Sequence, residues 1–171
     1  ENVRHLLKHD SGKTFAIIKN ILNELGYSFY YKVIKATDFG LPQHRPRIFI
    51  VGFKNDHLNN FEFPEPTPLS MNMSDVWEGE CTREVGFTLR VGGRASPIDD
   101  RRNWDGYRVN GEVRRLTSKE GKKMQGFPED FVFPVTEAQA MKQLGNSVAV
   151  PVVKAIAKKV KSYIKLLSKA S

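Results

Sequence analysis

Gln43-His44-Arg45-Pro46-Arg47 places two arginines at the start of a short apolar run, Arg47 to Phe53. Charge at the mouth of a buried strand is costly unless it is paired or binds something. A guanidinium is a rigid fork of donors that fits a carboxylate, a phosphate or a base carbonyl. The competing reading is a surface turn with solvated charges. A second segment, Gln143-Leu144-Gly145-Asn146-Ser147-Val148-Ala149-Val150-Pro151, joins two helical patterns. Gly145 permits close backbone approach, Asn146 and Ser147 bring hydrogen-bonding side chains, and N–H groups ahead of a helix suit an anion. The plainer reading is a helix–helix turn. A third region, 83–115, holds Arg83, Arg90, Arg94, Arg101, Arg102, Arg108, Arg114 and Arg115 and no lysine. Arginine reads guanine through O6 and N7, and nearby glycines let backbone approach phosphates. Otherwise this is a solvated surface balanced by Asp99, Asp100 and Asp105.

Other chemistries have less support. Cys81 is the only cysteine, which excludes a disulfide framework and a cysteine-rich zinc site, and nothing around it activates a thiol. The four histidines lack metal spacing: His5 and His9 are four apart without a third ligand, so no metal is expected. The 171 residues carry a net charge of +8, which points to an anionic partner. With 40% hydrophobic and 11% aromatic residues, the chain can bury a core. No apolar run approaches the roughly 20 residues that span a bilayer, and no signal peptide is expected, since the first residues lack an apolar segment. A reducing intracellular compartment is expected. The opening at Glu1, not Met, leads us to expect the interior of a longer chain.

Several elements must position these groups. Asp10 or Ser11 is expected to cap a helix over about 12–25, with Ile18, Ile21, Leu22 and Leu25 in phase and Gly26 as its stop. Tyr27–Ile34 reads as a strand, 37–46 as a loop, and 47–53 as a strand buried on both faces. Residues 54–80, with Pro64, Pro66 and Pro68, read as a connection, and 81–113 as short strands and turns. Thr117-Ser118-Lys119-Glu120 is a capping box whose helix should stop at Gly126. Thr136-Glu137-Ala138-Gln139 repeats it for a helix ending near Gly145. Pro151 opens a last helix with an expected apolar stripe of Val153, Ile156, Ala157, Val160, Ile164 and Leu167, its lysines mostly off that stripe.

In their order, these segments resemble the C-terminal portion of a DNA (cytosine-5)-methyltransferase. Glu1-Asn2-Val3 is similar to the family's ENV motif, and Gln43-His44-Arg45-Pro46-Arg47 to its Gln-x-Arg-x-Arg motif. Arg115-Leu116-Thr117, Glu120 and Gln125-Gly126-Phe127-Pro128 resemble the next motif, and Gln143 to Val148 with Pro151 the last. The resemblance covers roughly residues 1–53 and 114–160. It implies an α/β fold: a partial Rossmann-like methyltransferase lobe plus a small, mostly β or irregular target-recognition lobe. The expected divisions are 1–53 in the catalytic lobe, 54–113 as target-recognition region, and 114–171 as recognition support and return to the catalytic lobe. It further implies methyl transfer from S-adenosylmethionine to C5 of a cytosine flipped from double-stranded DNA. Glu1 would serve cytosine N3 and the exocyclic amine. Arg47 would hold O2, and Arg45 would support that pocket or a nearby phosphate. Asn146, Ser147 and Val148 would line the cofactor pocket. Arg90, Arg94, Arg101, Arg102, Arg115 and Gln125 would serve DNA binding, with the motif around Arg115 and Gln125 organising the recognition lobe.

The departures are large. The family's nucleophile lies in a Pro-Cys-Gln motif ahead of ENV; no Pro-Cys pair exists here, and the glycine-rich cofactor loop is also missing. The chain alone is therefore expected to be inactive, and to need an N-terminal half or subunit carrying the nucleophile. A bacterial restriction–modification setting, with a cytoplasmic, nucleoid-associated enzyme, is the expected context. The alternative is a non-catalytic, sequence-specific DNA-binding module.

Overall fold

A computed structural model describes residues 1–170. The chain divides into two compact units: residues 1–34, 46–65 and 154–171, and residues 35–45 and 66–153. The predicted recognition region is thus distributed between them, and most of it shares a unit with the segment 114–153.

The first unit is built on a three-stranded antiparallel sheet of β1 (Asn2–Val3), β2 (Tyr30–Ile34) and β3 (Arg47–Val51), in the order β1-β3-β2. Ile48 and Phe49 are adjacent and so point to opposite faces; both are buried, as expected of a strand covered on both sides. Between β1 and β2 lie 3₁₀ turns over Arg4–Gly12 and the helix α1 (Lys13–Glu24). The expected caps, Asp10 and Ser11, do not cap. Both take left-handed backbone (φ 48° and 53°), and Gly12 at φ 88° occupies the cap position. Ile18 and Leu22 are part-buried, but Ile21 and Leu25 are exposed, and with Ile17 they form a second apolar stripe facing outward.

An aromatic cluster closes this unit. Tyr30, Phe53, Phe61, Phe63 and Tyr163 stack in successive contacts, with Phe53 and Tyr163 centroids 4.7 Å apart. Asp56 joins two of them: Tyr30 donates at 2.6 Å and Tyr163 at 2.8 Å. Burial works to raise the Asp56 carboxyl, but the two phenols outweigh it and hold it down at about 2. Burial and this carboxylate push the Tyr30 phenol up.

The second unit has its own core of Met73, Val76, Trp77, Leu89, Trp104, Tyr107, Val109, Leu116, Met124, Met141 and Leu144. A short helix, α2 (Met73–Trp77), capped by Asn72, lies where a featureless connection was expected. The hairpin of β4 (Gly106–Val109) and β5 (Glu112–Arg115) turns on Asn110-Gly111, both with positive φ. Such a two-residue turn matches the twist of paired strands. Helix α3 (Ser118–Gln125) begins with the expected capping box at Thr117 and Glu120. It stops at Gly126, where φ is 73° and an added Cβ would lie 2.6 Å from Pro151. Helix α4 (Glu137–Asn146) is capped by Thr136 and runs one residue past Gly145.

The last helix, α5 (Val150–Ala170), carries Pro151 in its first turn. Its inward face is Val152, Ile156, Val160, Tyr163 and Leu167, whereas Val153, Ala157 and Ile164 are exposed. Ile156, Val160 and Leu167 of the expected stripe face inward; the other three do not, because the buried face is centred on Tyr163, whose hydroxyl bonds Asp56.

Candidate functional site

Register brings Glu1 and Arg47 together. Val3 pairs with Arg47 across β1 and β3. Glu1, two residues before Val3, shares its face and becomes the diagonal neighbour of Arg47, within reach of two long side chains. Arg47 Nε lies 3.0 Å from Glu1 Oε1, with 15% and 20% of the two side chains exposed. Arg47 Nη1 also donates to the Pro46 carbonyl at 3.0 Å. Burial lowers the Arg47 guanidinium from its ordinary value, and the Glu1 carboxylate acts against that. The result is a carboxyl and a fork of donors side by side, only partly shielded from water.

Arg45 is placed otherwise, in the second unit. It is 3% exposed and donates to three backbone carbonyls: Leu89 at 3.2 Å, Gly145 at 3.1 Å and Ser147 at 2.5 Å. These bonds tie the loop of residues 35–45 to the arginine-rich region and to the end of α4. With its donors turned to backbone, Arg45 is not free for the expected phosphate contact; it holds the second unit's own chain together.

Gln43, to which no role was assigned, is the hub beside it. Its Nε2 donates to Met124 O at 2.9 Å and to Gln125 Oε1 at 3.3 Å, and its Oε1 accepts from Leu89 N–H at 3.0 Å. Gln125 donates onward to Leu144 O at 2.9 Å and to Ser147 Oγ at 3.1 Å. Both glutamines are 0% exposed. The expectation that Gln125 binds DNA is therefore corrected: a fully buried amide cannot face a duplex, and this one organises the unit.

The segment Gly145 to Val148 is fixed by the same network. A Cβ on Gly145 would lie 2.6 Å from the Arg90 backbone, so only glycine lets the chain pass there. Ser147 is committed to Leu144 O and Gln125. Asn146 is exposed and Val148 is part-buried.

The arginine-rich region separates into scaffold and surface. Asp105, with 1% of its side chain exposed, takes Arg115 Nη1 at 3.0 Å and Arg94 Nε at 3.5 Å. Arg115 Nη2 donates to Ser96 O at 2.7 Å, Arg94 donates to Leu116 O, and Trp104 Nε1 donates to Gly92 O at 3.0 Å. Arg94 and Arg115 therefore hold the Gly92-Gly93 loop in shape, with their forks already engaged. Asp105, first read as a mere charge balance, is the anchor of that loop. Arg102 is exposed and grips Asp100 at 2.7 Å, which holds that carboxyl down at about 2. Arg90 and Arg101 are exposed and take part in none of the unit's ion pairs among the described residues. Arg83 stacks on Phe87 at 4.0 Å and Arg114 over Trp77 at 4.7 Å.

Cys81 is part-buried, its backbone N–H bonded to Ser74 Oγ. Among the described residues, no group of His, Cys, Asp and Glu is placed to hold a metal, and no helix is long and apolar enough to cross a membrane.

Comparison with known proteins decides the family. The model of the C-5 cytosine-specific DNA methylases matches residues 1–90 and 80–162. The chain belongs to the C-5 cytosine-specific DNA methylase family. Among its methylase relatives is the type II methyltransferase M.SsoII of Shigella sonnei, 39% identical over 94% of this chain and 51% of that protein. Another is M.DsaV of Dactylococcopsis salina, 40% identical over 97% of this chain and 57% of that protein. The chain thus spans about half the length of the curated methylases it matches. The fold is also similar to that of the Entamoeba histolytica methyltransferase EhMeth, with a TM-score of 0.67 at 18% identity, covering 95% of this chain and 61% of that one. The α/β methyltransferase fold expected from the sequence is therefore the one found.

Proposed function

We propose that this chain is the base-holding and target-recognition part of an enzyme that methylates C5 of a cytosine flipped out of a specific duplex sequence. The observation that carries the reading is the Glu1–Arg47 pair. Cytosine presents an acceptor at O2, an acceptor at N3 and an amine at C4. A guanidinium donates to O2, while a carboxyl beside it serves N3 and the amine, so the pair complements that edge in one orientation. In a partly desolvated site, Arg47 would also stabilise the charge that develops on the ring when a nucleophile adds to C6. Proton delivery or a strong hydrogen bond from Glu1 at N3 would ease that addition.

The chain's own residues set what else is required. It has no Pro-Cys pair, so the thiolate that attacks C6 would come from another polypeptide segment. The exposed apolar stripe of Ile17, Ile21 and Leu25 on α1, with Val3 and Tyr31 also about half exposed, supports such a segment docking on the first unit. S-adenosylmethionine, which the family implies, fits the last motif in part. Asn146 offers an exposed amide and Val148 an apolar wall, while Ser147 is held by its neighbours. When bound, that cofactor supplies an electrophilic methyl group on a sulfonium. Arg90 and Arg101 are the recognition arginines best placed to reach DNA, with Arg102 available once released from Asp100. A bacterial restriction–modification enzyme acting on cytoplasmic, nucleoid-associated DNA is the setting that accords with type II relatives.

The test is methyl transfer from labelled S-adenosylmethionine to duplex DNA by the chain combined with a complementary N-terminal segment bearing Pro-Cys-Gln. Transfer is expected only with both present. A folded, stoichiometric complex that transfers nothing would refute the reading.

A further inference from the structure

The Glu1–Arg47 reading does not involve α5, yet this helix has the most uneven charge in the molecule. It contains six lysines and no Asp or Glu. At about 100° per residue, Lys154, Lys158, Lys161, Lys165 and Lys169 fall within an arc of about 80°. That arc lies roughly opposite the inward face of Ile156, Val160, Tyr163 and Leu167. All five lysines are exposed, and no ion pair in the structure includes any of them among the described residues. They form a straight ridge about 22 Å long, at roughly 1.5 Å rise per residue.

Like charges three and four residues apart weaken a helix, and here four successive pairs do so. The helix dipole favours only the last, Lys169. No carboxylate on the helix offsets the others. An ordinary solvated face alternates its signs; this one presents a single sign at near-constant spacing.

We propose that this ridge is a second nucleic-acid contact, binding the phosphate backbone of duplex DNA without regard to sequence. The side chains suit that partner. Lysines are point charges on flexible stems, with no fork to match a planar carboxylate. The ridge carries no aromatic residue on its lysine side, the kind of anchor in which protein-binding hot spots are enriched. A strand of DNA presents a phosphate about every 3.4 Å along its axis, so the ridge spans about six of them. The choice of DNA over another polyanion rests on the proposed function; the ridge itself does not.

The test is the salt dependence of binding between the full chain and a duplex lacking any recognition sequence, for the unaltered chain and for Lys158→Gln/Lys161→Gln/Lys165→Gln. Circular dichroism checks that the helix persists. The triple variant is expected to bind roughly tenfold or more weakly, with the slope of log K against log salt reduced by up to about 2.7, or about 0.9 for each lost phosphate contact. Arginine at the same three positions should restore both. An unchanged slope, or no binding by the unaltered chain, would overturn the proposal and leave the ridge a solvated face. Failure of the proposed function reads differently, as absent methyl transfer by the completed enzyme with the slope change intact.

Discussion

Arg45 and Arg47 stand two residues apart in one motif, yet their surroundings share little. Arg45 is sealed in the second unit, its donors turned to three backbone carbonyls. Arg47 opens β3 in the first unit, paired with one carboxylate and one carbonyl and still touched by solvent. An arginine whose fork is filled by backbone determines shape. One held beside a single carboxyl keeps chemistry available. The same contrast recurs in the arginine-rich region, where Arg94 and Arg115 close on Asp105 while Arg90 and Arg101 stay open.

The contrast breaks most directly at Arg45. Arg45→Ala strips two buried carbonyls and one part-buried carbonyl of a donor and should destabilise the second unit by about 3 kcal/mol, measured by denaturant unfolding. Gly145→Ala forces a methyl against the Arg90 backbone and should cost about 1–3 kcal/mol in the same measurement. Arg47→Ala should cost less than Arg45→Ala, about 1–2 kcal/mol, because it leaves one part-buried carboxylate without its partner. If Arg47→Ala proved as destabilising as Arg45→Ala, the division between shape and chemistry would fail. Arg102→Ala, which loses only an exposed grip on Asp100, should leave the denaturation midpoint essentially unchanged.

Acid sharpens the comparison within the first unit. Asp56 is lower in the folded state than its ordinary 3.8, so the clamp on Tyr30 and Tyr163 contributes fully above about pH 4. Its contribution should fade as pH drops toward about 2. Tyrosine fluorescence or amide exchange in α5 should report that loss, and Asp56→Asn should abolish the pH response.

Local rules made much of this legible. The Thr117 capping box, the Gly126 stop and the strand at Arg47 follow from side chains acting on their own backbone, and the structure contains them. Asn110-Gly111 carries an equally local signal for the hairpin turn. Long-range partners were not legible. Nothing in the spacing places Gln43 on Gln125, 82 residues away, or Asp56 on Tyr163, 107 away. Gln125 was therefore assigned to DNA when it belongs to the core. Arg94 and Arg115 were grouped with Arg90 because sequence gives charge but not whether a buried carboxylate has already claimed it. The family resemblance assigns Glu1 and Arg47 to one base but not to each other; their pairing depends on the register of two strands more than forty residues apart.

The most direct measurement is the rate of methyl transfer to duplex DNA by the completed enzyme, wild type against Arg47→Ala, with DNA affinity measured alongside. A fall of about 10²–10³-fold in rate is expected, the size of one lost donor at a developing charge, with most of the affinity retained. An Arg47→Ala enzyme that transfers methyl at the wild-type rate would contradict the role assigned to Arg47.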